Sequence, residues 1–381
     1  MKDIIDCCIP LPLQIVIDDV GWWSGEDGSK KHEPYRTGFI RDHVPADYQA
    51  IADLGSKLGM RPQAAMILGE WAETKDISSI PSCSKSGKGW NPENCNKILL
   101  EKTSNIIQSN QANIEITLHG ISHEYWKEDT FTRGEWYDQN GKIRPIDECL
   151  QRLELFKKIM YDNLLGLFPE SYVPTAFVDN FSPNKENFLE LFKKYGIKYI
   201  STPFSTMLNA KEVKNKYYGI DNGIITIDRG QDLMQWNKFN VPIEGEVSGP
   251  ICGMHWPNIL HEDPARNNET VDLWVNHLKK YQLKLDRMLS KNTKEMCSQL
   301  VYHQQTLLSL NSNTVDIESS KIPEDLIRII NNSFFIKIDT DMNASFEGRN
   351  LEIVSQEYTH EGGHHVLEVI PHEDQCALII K

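Results

Sequence analysis

Through its first three hundred residues the chain alternates short β-rich apolar runs with longer stretches whose apolar residues recur near helical spacing. That alternation limits the fold more than any other feature, because parallel strands need crossover connections and helices supply them. The short runs fall at Leu13 to Ile17, Ala64 to Leu68, Ile114 to Leu118, Tyr172 to Val178, Ile197 to Ile200, Ile224 to Ile227 and Ile251 to His255. Helical patterns lie between them at Ala46 to Leu58, Asn96 to Ile107, Ile146 to Leu165, Lys185 to Tyr195 and Val271 to Leu289. An α/β barrel slightly short of eight strands is predicted, and 381 residues leave room for an appendage beyond it. After Asn311 the pattern becomes polar, then alternating. Phe335 to Asp339, Leu351 to Val354, Val366 to Ile370 and Ala377 to Ile380 read as antiparallel strands. The expected division is residues 1–310 for the barrel and 311–381 for an accessory antiparallel β-domain.

Two of the apolar runs end in groups that bind metals. Asp18 and Asp19 close the first, and His119, with His123 four residues on, closes the third. Neighbouring side chains on a strand point to opposite faces, so the two acids serve one centre only if the backbone turns there. One would then bind metal while the other takes a proton. His119 shares a face with Glu115 and Thr117, which aims it inward while the isoleucines meet the helices. One carboxylate and two imidazoles leave an open position on an ion such as Zn²⁺, although Co²⁺, Ni²⁺ or Mn²⁺ also accept such donors. His255 ends a third run, in Gly253-Met254-His255-Trp256-Pro257. In parallel barrels the carboxyl ends of the strands form the site, so all five residues are expected to meet there.

Other classes lose support from the sequence. There is no Gly-x-Ser-x-Gly elbow and no phosphate-binding Gly-Lys-Ser/Thr loop. A formal charge of −14 opposes nonspecific binding to nucleic acid or anionic lipid and suits a neutral sugar. No apolar run is long enough for a membrane span, and acids near the start disfavour a signal peptide. Eight cysteines without a C-x-x-C pair point to reduced thiols and a cytoplasmic setting.

Taken together, Ile17-Asp18-Asp19, His119-x-x-x-His123 and the late His255 resemble the polysaccharide deacetylases of carbohydrate esterase family 4. The resemblance covers roughly residues 10 to 300 and implies a distorted (β/α)7-type barrel. It further implies that Asp19, His119 and His123 hold the ion, that Asp18 is the general base, and that His255 protonates the leaving amine. The implied activity is removal of acetyl groups from N-acetylated sugars or a related small amide. This chain departs from the family where an Arg-x-Pro segment is usual, having Tyr172-Val173-Pro174-Thr175. Arg229, next to Asp228, is the candidate replacement, and both are read as orienting residues. The first motif also has Val20 before its Gly21.

Trp22, Trp23, Trp71, Trp126 and Trp256 fall near strand ends, where flat apolar faces would stack on sugar rings. With Glu70 and Pro174, Trp22, Trp23, Trp126 and Trp256 make up the expected substrate-binding set, against the alternative that tryptophans simply fill the core. Arg36, Arg41 and His43 lie in the first of two long loops, 20 to 45 and 71 to 94, and are cleft candidates or solvated charge. His360, His364, His365 and His372 read as the polar face of an exposed sheet. Two other readings stand beside the deacetylase: a catalytically idle carbohydrate-binding protein, and a glycoside hydrolase using Asp18 with Glu70.

Overall fold

The computed structural model describes residues 6–31, 35–72, 74–84, 97–127, 130–181, 186–230, 236, 238 and 245–381. The start of the chain, much of the second long loop, Asn96, Lys185, Gln231, Asp232 and Cys95 lie outside the described residues. The chain forms two compact units, one of residues 15–275 and one that joins 1–14 to 276–381. The division expected at 310/311 therefore falls inside the second unit.

The larger unit is mixed α/β, built on a sheet that curls into a half-barrel. Its strands run in the order Ile251–His255, Leu11–Val20, Gln63–Ile67, Glu115–Gly120, Ser171–Tyr172, Tyr199–Thr202, Ile224–Asp228 and Tyr218–Asp221. Pairing is parallel from Leu11–Val20 through Ile224–Asp228, and Tyr218–Asp221 adds antiparallel at one edge. Each apolar run singled out in the sequence forms a strand. Leu11–Val20 is buried along its whole length, as expected of a strand whose two faces are both covered.

The fourth strand is much shorter than its apolar run, ending at Tyr172. Pro174 has no N–H to give to a ladder, and the chain then turns through Thr175–Phe177, where Ala176 and Phe177 take φ of 53° and 54°. The expected helices form as Pro45–Leu58, Lys97–Ser109, Ile146–Asp162, Glu186–Lys194 and Asn267–Leu283. The last does not continue to Leu289. Arg287–Leu289 is instead a strand paired in parallel with Leu11, Pro12 and Leu13, where the gain from pairing buried backbone exceeds a weak helical preference.

The second unit carries two four-stranded antiparallel sheets. One orders Asp6–Cys8, Phe334–Asp339, His364–Pro371 and Leu351–Thr359, and the other Leu307–Asn311, Thr314–Glu318, Gln375–Ile380 and Phe346–Arg349. Thr314–Glu318 lies within a stretch that reads as polar, yet Val315 and Ile317 alternate inward between charged neighbours. His364 and His365 are buried rather than displayed on an open face, and His365 Nε2 bonds the Asp341 carbonyl at 2.8 Å. Among the described residues no helix is long and apolar enough to cross a membrane.

Candidate metal centre

The first strand solves the two-acid problem with a bulge. Ile17 pairs with Ala64 but Val20 with Met66, so three steps on one strand match two on its neighbour. Asp19 absorbs the extra residue at φ 60°, in the left-handed region, and Asp18 and Asp19 come to line one cavity although they are adjacent. The strand thus continues through Val20 instead of ending at the acids. Gly21 follows at φ 115°, where an added Cβ would lie 2.2 Å from the Ile67 carbonyl oxygen. Only glycine fits there.

His119 Nε2 lies 3.4 Å from Asp19 Oδ1, and His123 Nε2 lies 3.5 Å from the same oxygen. Ligand atoms about 2.0–2.1 Å from one tetrahedral ion sit about 3.4 Å apart, so both separations match the edges of such a site. Asp19 Oδ1 is buried and accepts no hydrogen bond among the described residues. Orphaned buried acceptors are rare, and here the missing partner has the position of a cation. The Asp19, His119 and His123 group can therefore hold a metal ion.

The imidazoles are prepared for that role. His119 Nδ1 donates to the Val173 carbonyl at 2.7 Å, which places the proton on Nδ1 and leaves the Nε2 lone pair toward Asp19. His123 has φ 61°, a strained position for a non-glycine residue. It is held there by Glu135, whose Oε2 accepts the amides of Ile121 at 2.9 Å, Ser122 at 3.1 Å and His123 at 3.0 Å. Glu135 in turn pairs with Arg152 at 2.8 Å, both fully buried. A Cβ on Gly120 would lie 2.1 Å from Glu135 Oε2, so the clamp also requires that glycine. Glu135, Arg152 and Gly120 carry no motif and escape a reading of the sequence.

Electrostatics follow the packing. Burial opposes ionisation of Asp19, but His123, His119 and His255 outweigh it and hold the carboxyl below its ordinary range. Burial pushes His123 down to about 3 despite the pull of Asp19, which keeps its imidazole neutral. For His119 burial acts downward, yet the close approach of Asp19 and the charge of Asp18 leave it raised.

A cavity of about 240 Å³ contains Asp18, Asp19, His119, His123 and His255 on its wall. Three segments distant in sequence thus converge on one space. Arg229 pairs with Asp18, its Nη1 donating to Oδ1 at 2.8 Å and its Nη2 lying 2.7 Å from Oδ2. His255 ends its strand and enters the Trp256–Ile259 turn, its backbone N–H donating to Asn258 Oδ1 at 2.8 Å. Tyr35, Arg133, Phe177 and Trp236 complete much of the wall and were not among the expected residues.

The expected aromatic ring is elsewhere. Trp22, Trp23, Trp126 and Trp256 are buried and do not line the cavity. Trp23 stacks on Trp71, Trp256 stacks on His43 with centroids 3.9 Å apart, and Trp126 donates to Glu124 at 2.9 Å. They pack into the interior because indoles this large gain more from burial than from exposure. Glu70 accepts the amides of Trp23 and Ser24 and pairs with Arg36 at 2.8 Å, bracing the first long loop instead of facing a substrate. Arg41 and His43 likewise converge on Asp47, Arg41 at 2.8 Å and His43 at 3.3 Å. Pro174 stays off the cavity wall and sets up the turn that presents Phe177. Asp228 accepts the amides of Phe204 and Gly230, so it shapes the turn that carries Arg229 and does not orient His255. No protein-family model and no curated protein matches this chain.

Proposed function

We propose that this chain is a metal-dependent hydrolase that removes acetyl groups from an N-acetylated sugar or a related small amide. In this reading the curled sheet is a distorted (β/α)7-type barrel of the polysaccharide deacetylase kind. The observation that carries the reading is the pairing of Asp18 with Arg229 beside the Asp19, His119 and His123 group, with His255 on the same cavity. A base, a cation site and an acid are the three parts that amide hydrolysis requires.

Asp19, His119 and His123 would hold a divalent ion, zinc the first choice for such donors, and the chemistry it would supply is polarisation of the acyl carbonyl and activation of water. Asp18 takes the proton from the attacking water. Its Oδ1 is held by the Arg229 hydrogen bond and the carboxylate by the ion pair, so it stays distinct from Asp19. His255 delivers a proton to the departing nitrogen. Trp236 and Phe177 offer the apolar faces on which a sugar ring packs. A cytoplasmic setting accords with the thiols of Cys7, Cys8, Cys149 and Cys376.

Metal content and acetate release, measured on the same preparations, test the assignment. Asp19→Ala is expected to lose both together, whereas Asp18→Asn retains metal and loses turnover. Full activity in either variant overturns the proposal.

A further inference from the structure

Arg133 closes the strand Thr130–Arg133, which forms a two-stranded ribbon with Glu124–Lys127 and sets Arg133 opposite Glu124. Its guanidinium stacks 3.9 Å from the centre of the Tyr35 ring, and Tyr35 packs against His123 with centroids 4.9 Å apart. A continuous stack therefore runs from the exposed guanidinium to one of the candidate metal ligands. Among the described residues on the cavity wall, Arg133 is the only lysine or arginine.

Two acids beside this stack, Glu124 and Asp27, have partners of their own. Glu124 accepts the Tyr35 amide at 2.6 Å and the Trp126 indole at 2.9 Å, and Asp27 accepts the amide and hydroxyl of Ser29. Arg133 makes no ion pair among the described residues. Stacking on Tyr35, with a hydrogen bond to its side chain, fixes the plane of the guanidinium, and a planar guanidinium is the group that receives a carboxylate or phosphate through two parallel bonds.

We propose that Arg133 recognises an anionic group of the substrate, so that the substrate is an N-acylated sugar bearing a carboxylate or a phosphate. The inference rests on the hydrolase reading for the acyl group and on Arg133 alone for the charge. The formal charge of −14 favours neutral ligands at long range. Inside a cavity the local field decides, because salt screens distant charges over about 8 Å while direct contacts remain. The acids at this site are also compensated: Asp18 by Arg229, and Asp19 by the cation it is arranged to bind.

Three probes separate the possibilities: N-acetylglucosamine, its 6-phosphate, and its 3-O-lactyl ether, which carries a carboxylate. Each is titrated into zinc-loaded protein by calorimetry and assayed for acetate release. The wild type is expected to bind one anionic probe at least tenfold more tightly than the neutral sugar, and which one identifies phosphate or carboxylate as the partner. Arg133→Gln should bring that ratio close to one, and Arg133→Lys should keep part of it, with any change in turnover appearing in KM. Absence of anionic preference in the wild type, including absence of binding, overturns the inference, as does preference that persists in Arg133→Gln. If the anionic probe binds through Arg133 but releases no acetate, the hydrolase reading fails and the anion site stands.

Discussion

Arg229 and Asp18 meet across 211 residues of sequence in a two-point ion pair, 2.8 and 2.7 Å, with both side chains almost fully buried. The guanidinium comes from the end of Ile224–Asp228 and not from the turn after the fourth strand, where the family resemblance expects it. Arg229→Ala removes the Arg229 hold on the Asp18 carboxylate, and turnover should fall by about 10²- to 10⁴-fold, the usual worth of a positioned base. Metal content should persist. Arg229→Lys restores charge without the fork and is expected to fall between the two. A wild-type rate for Arg229→Ala in the acetate-release assay would remove Asp18 from the mechanism.

Metal binding should also appear without any substrate. An ion that binds only the folded chain stabilises it by about 2.7 kcal/mol at a hundred times its Kd. Adding zinc to chelator-treated protein is therefore expected to raise the melting temperature, and Asp19→Ala and His119→Ala should abolish the rise. His119 is the sharper test, because its Nδ1 bond to Val173 already selects the ligating tautomer. A zinc-dependent rise that survives in His119→Ala places the ion elsewhere.

The strands and the five polar residues that converge on the cavity were legible because each depends on local pattern: an apolar run, and a His or Asp at its carboxyl end. The bulge at Asp19 was not, since the extra residue shows only against the pairing of Gln63–Ile67. The tryptophans misled for a related reason. Sequence places Trp256 near a strand end, but whether its indole faces solvent or core depends on partners such as His43 and Tyr48, far away in the chain. Tyr35, Arg133 and Trp236 come from loops and a ribbon with no periodic signal, and only their placement reveals them.

The Glu135 clamp makes a prediction about affinity. Removing its carboxylate leaves the Arg152 guanidinium buried and frees three amides around His123. Glu135→Ala should lower stability by about 3–5 kcal/mol and, by loosening His123, weaken metal binding by about 10- to 100-fold. Urea denaturation and competition with a chromogenic chelator read the two effects separately. Wild-type metal affinity beside the stability loss would confine Glu135 to a purely structural role.

Glycine positions give a sharper steric test. Gly21→Ala forces a Cβ to within 2.2 Å of backbone at Ile67, in a conformation that disfavours side chains. Loss of stability should be accompanied by displacement of the bulge, so the zinc-dependent rise in melting temperature is expected to shrink as well. Gly59→Ala, also at positive φ but with nothing within 4 Å of its Cβ, provides the control for backbone strain alone. Equal effects of the two substitutions would mean that close packing at Gly21 contributes nothing.

The second unit has its own pH response, set by Lys337. This side chain is buried, and its Nζ donates to the carbonyls of Gln282 at 2.8 Å and Lys284 at 2.7 Å, at the end of helix Asn267–Leu283. Burial pulls its pKa down to about 8, partly offset by Cys8 and Asp286. Between pH 8 and the ordinary lysine range the unfolded chain holds a proton that the folded one has released, so stability rises with pH. A neutral amine still has two hydrogens for the two carbonyls, and nothing is lost on deprotonation. From pH 8 to 9 the gain from this group should be about 1 kcal/mol. Cys8, pushed up to about 12 chiefly by burial, acts in the opposite sense only above its own unfolded value near 9. Lys337→Met should be less stable than wild type at pH 9 and should show less increase between pH 8 and 9. Parallel stability curves for the two proteins across that interval would show that Lys337 titrates in its ordinary range despite burial.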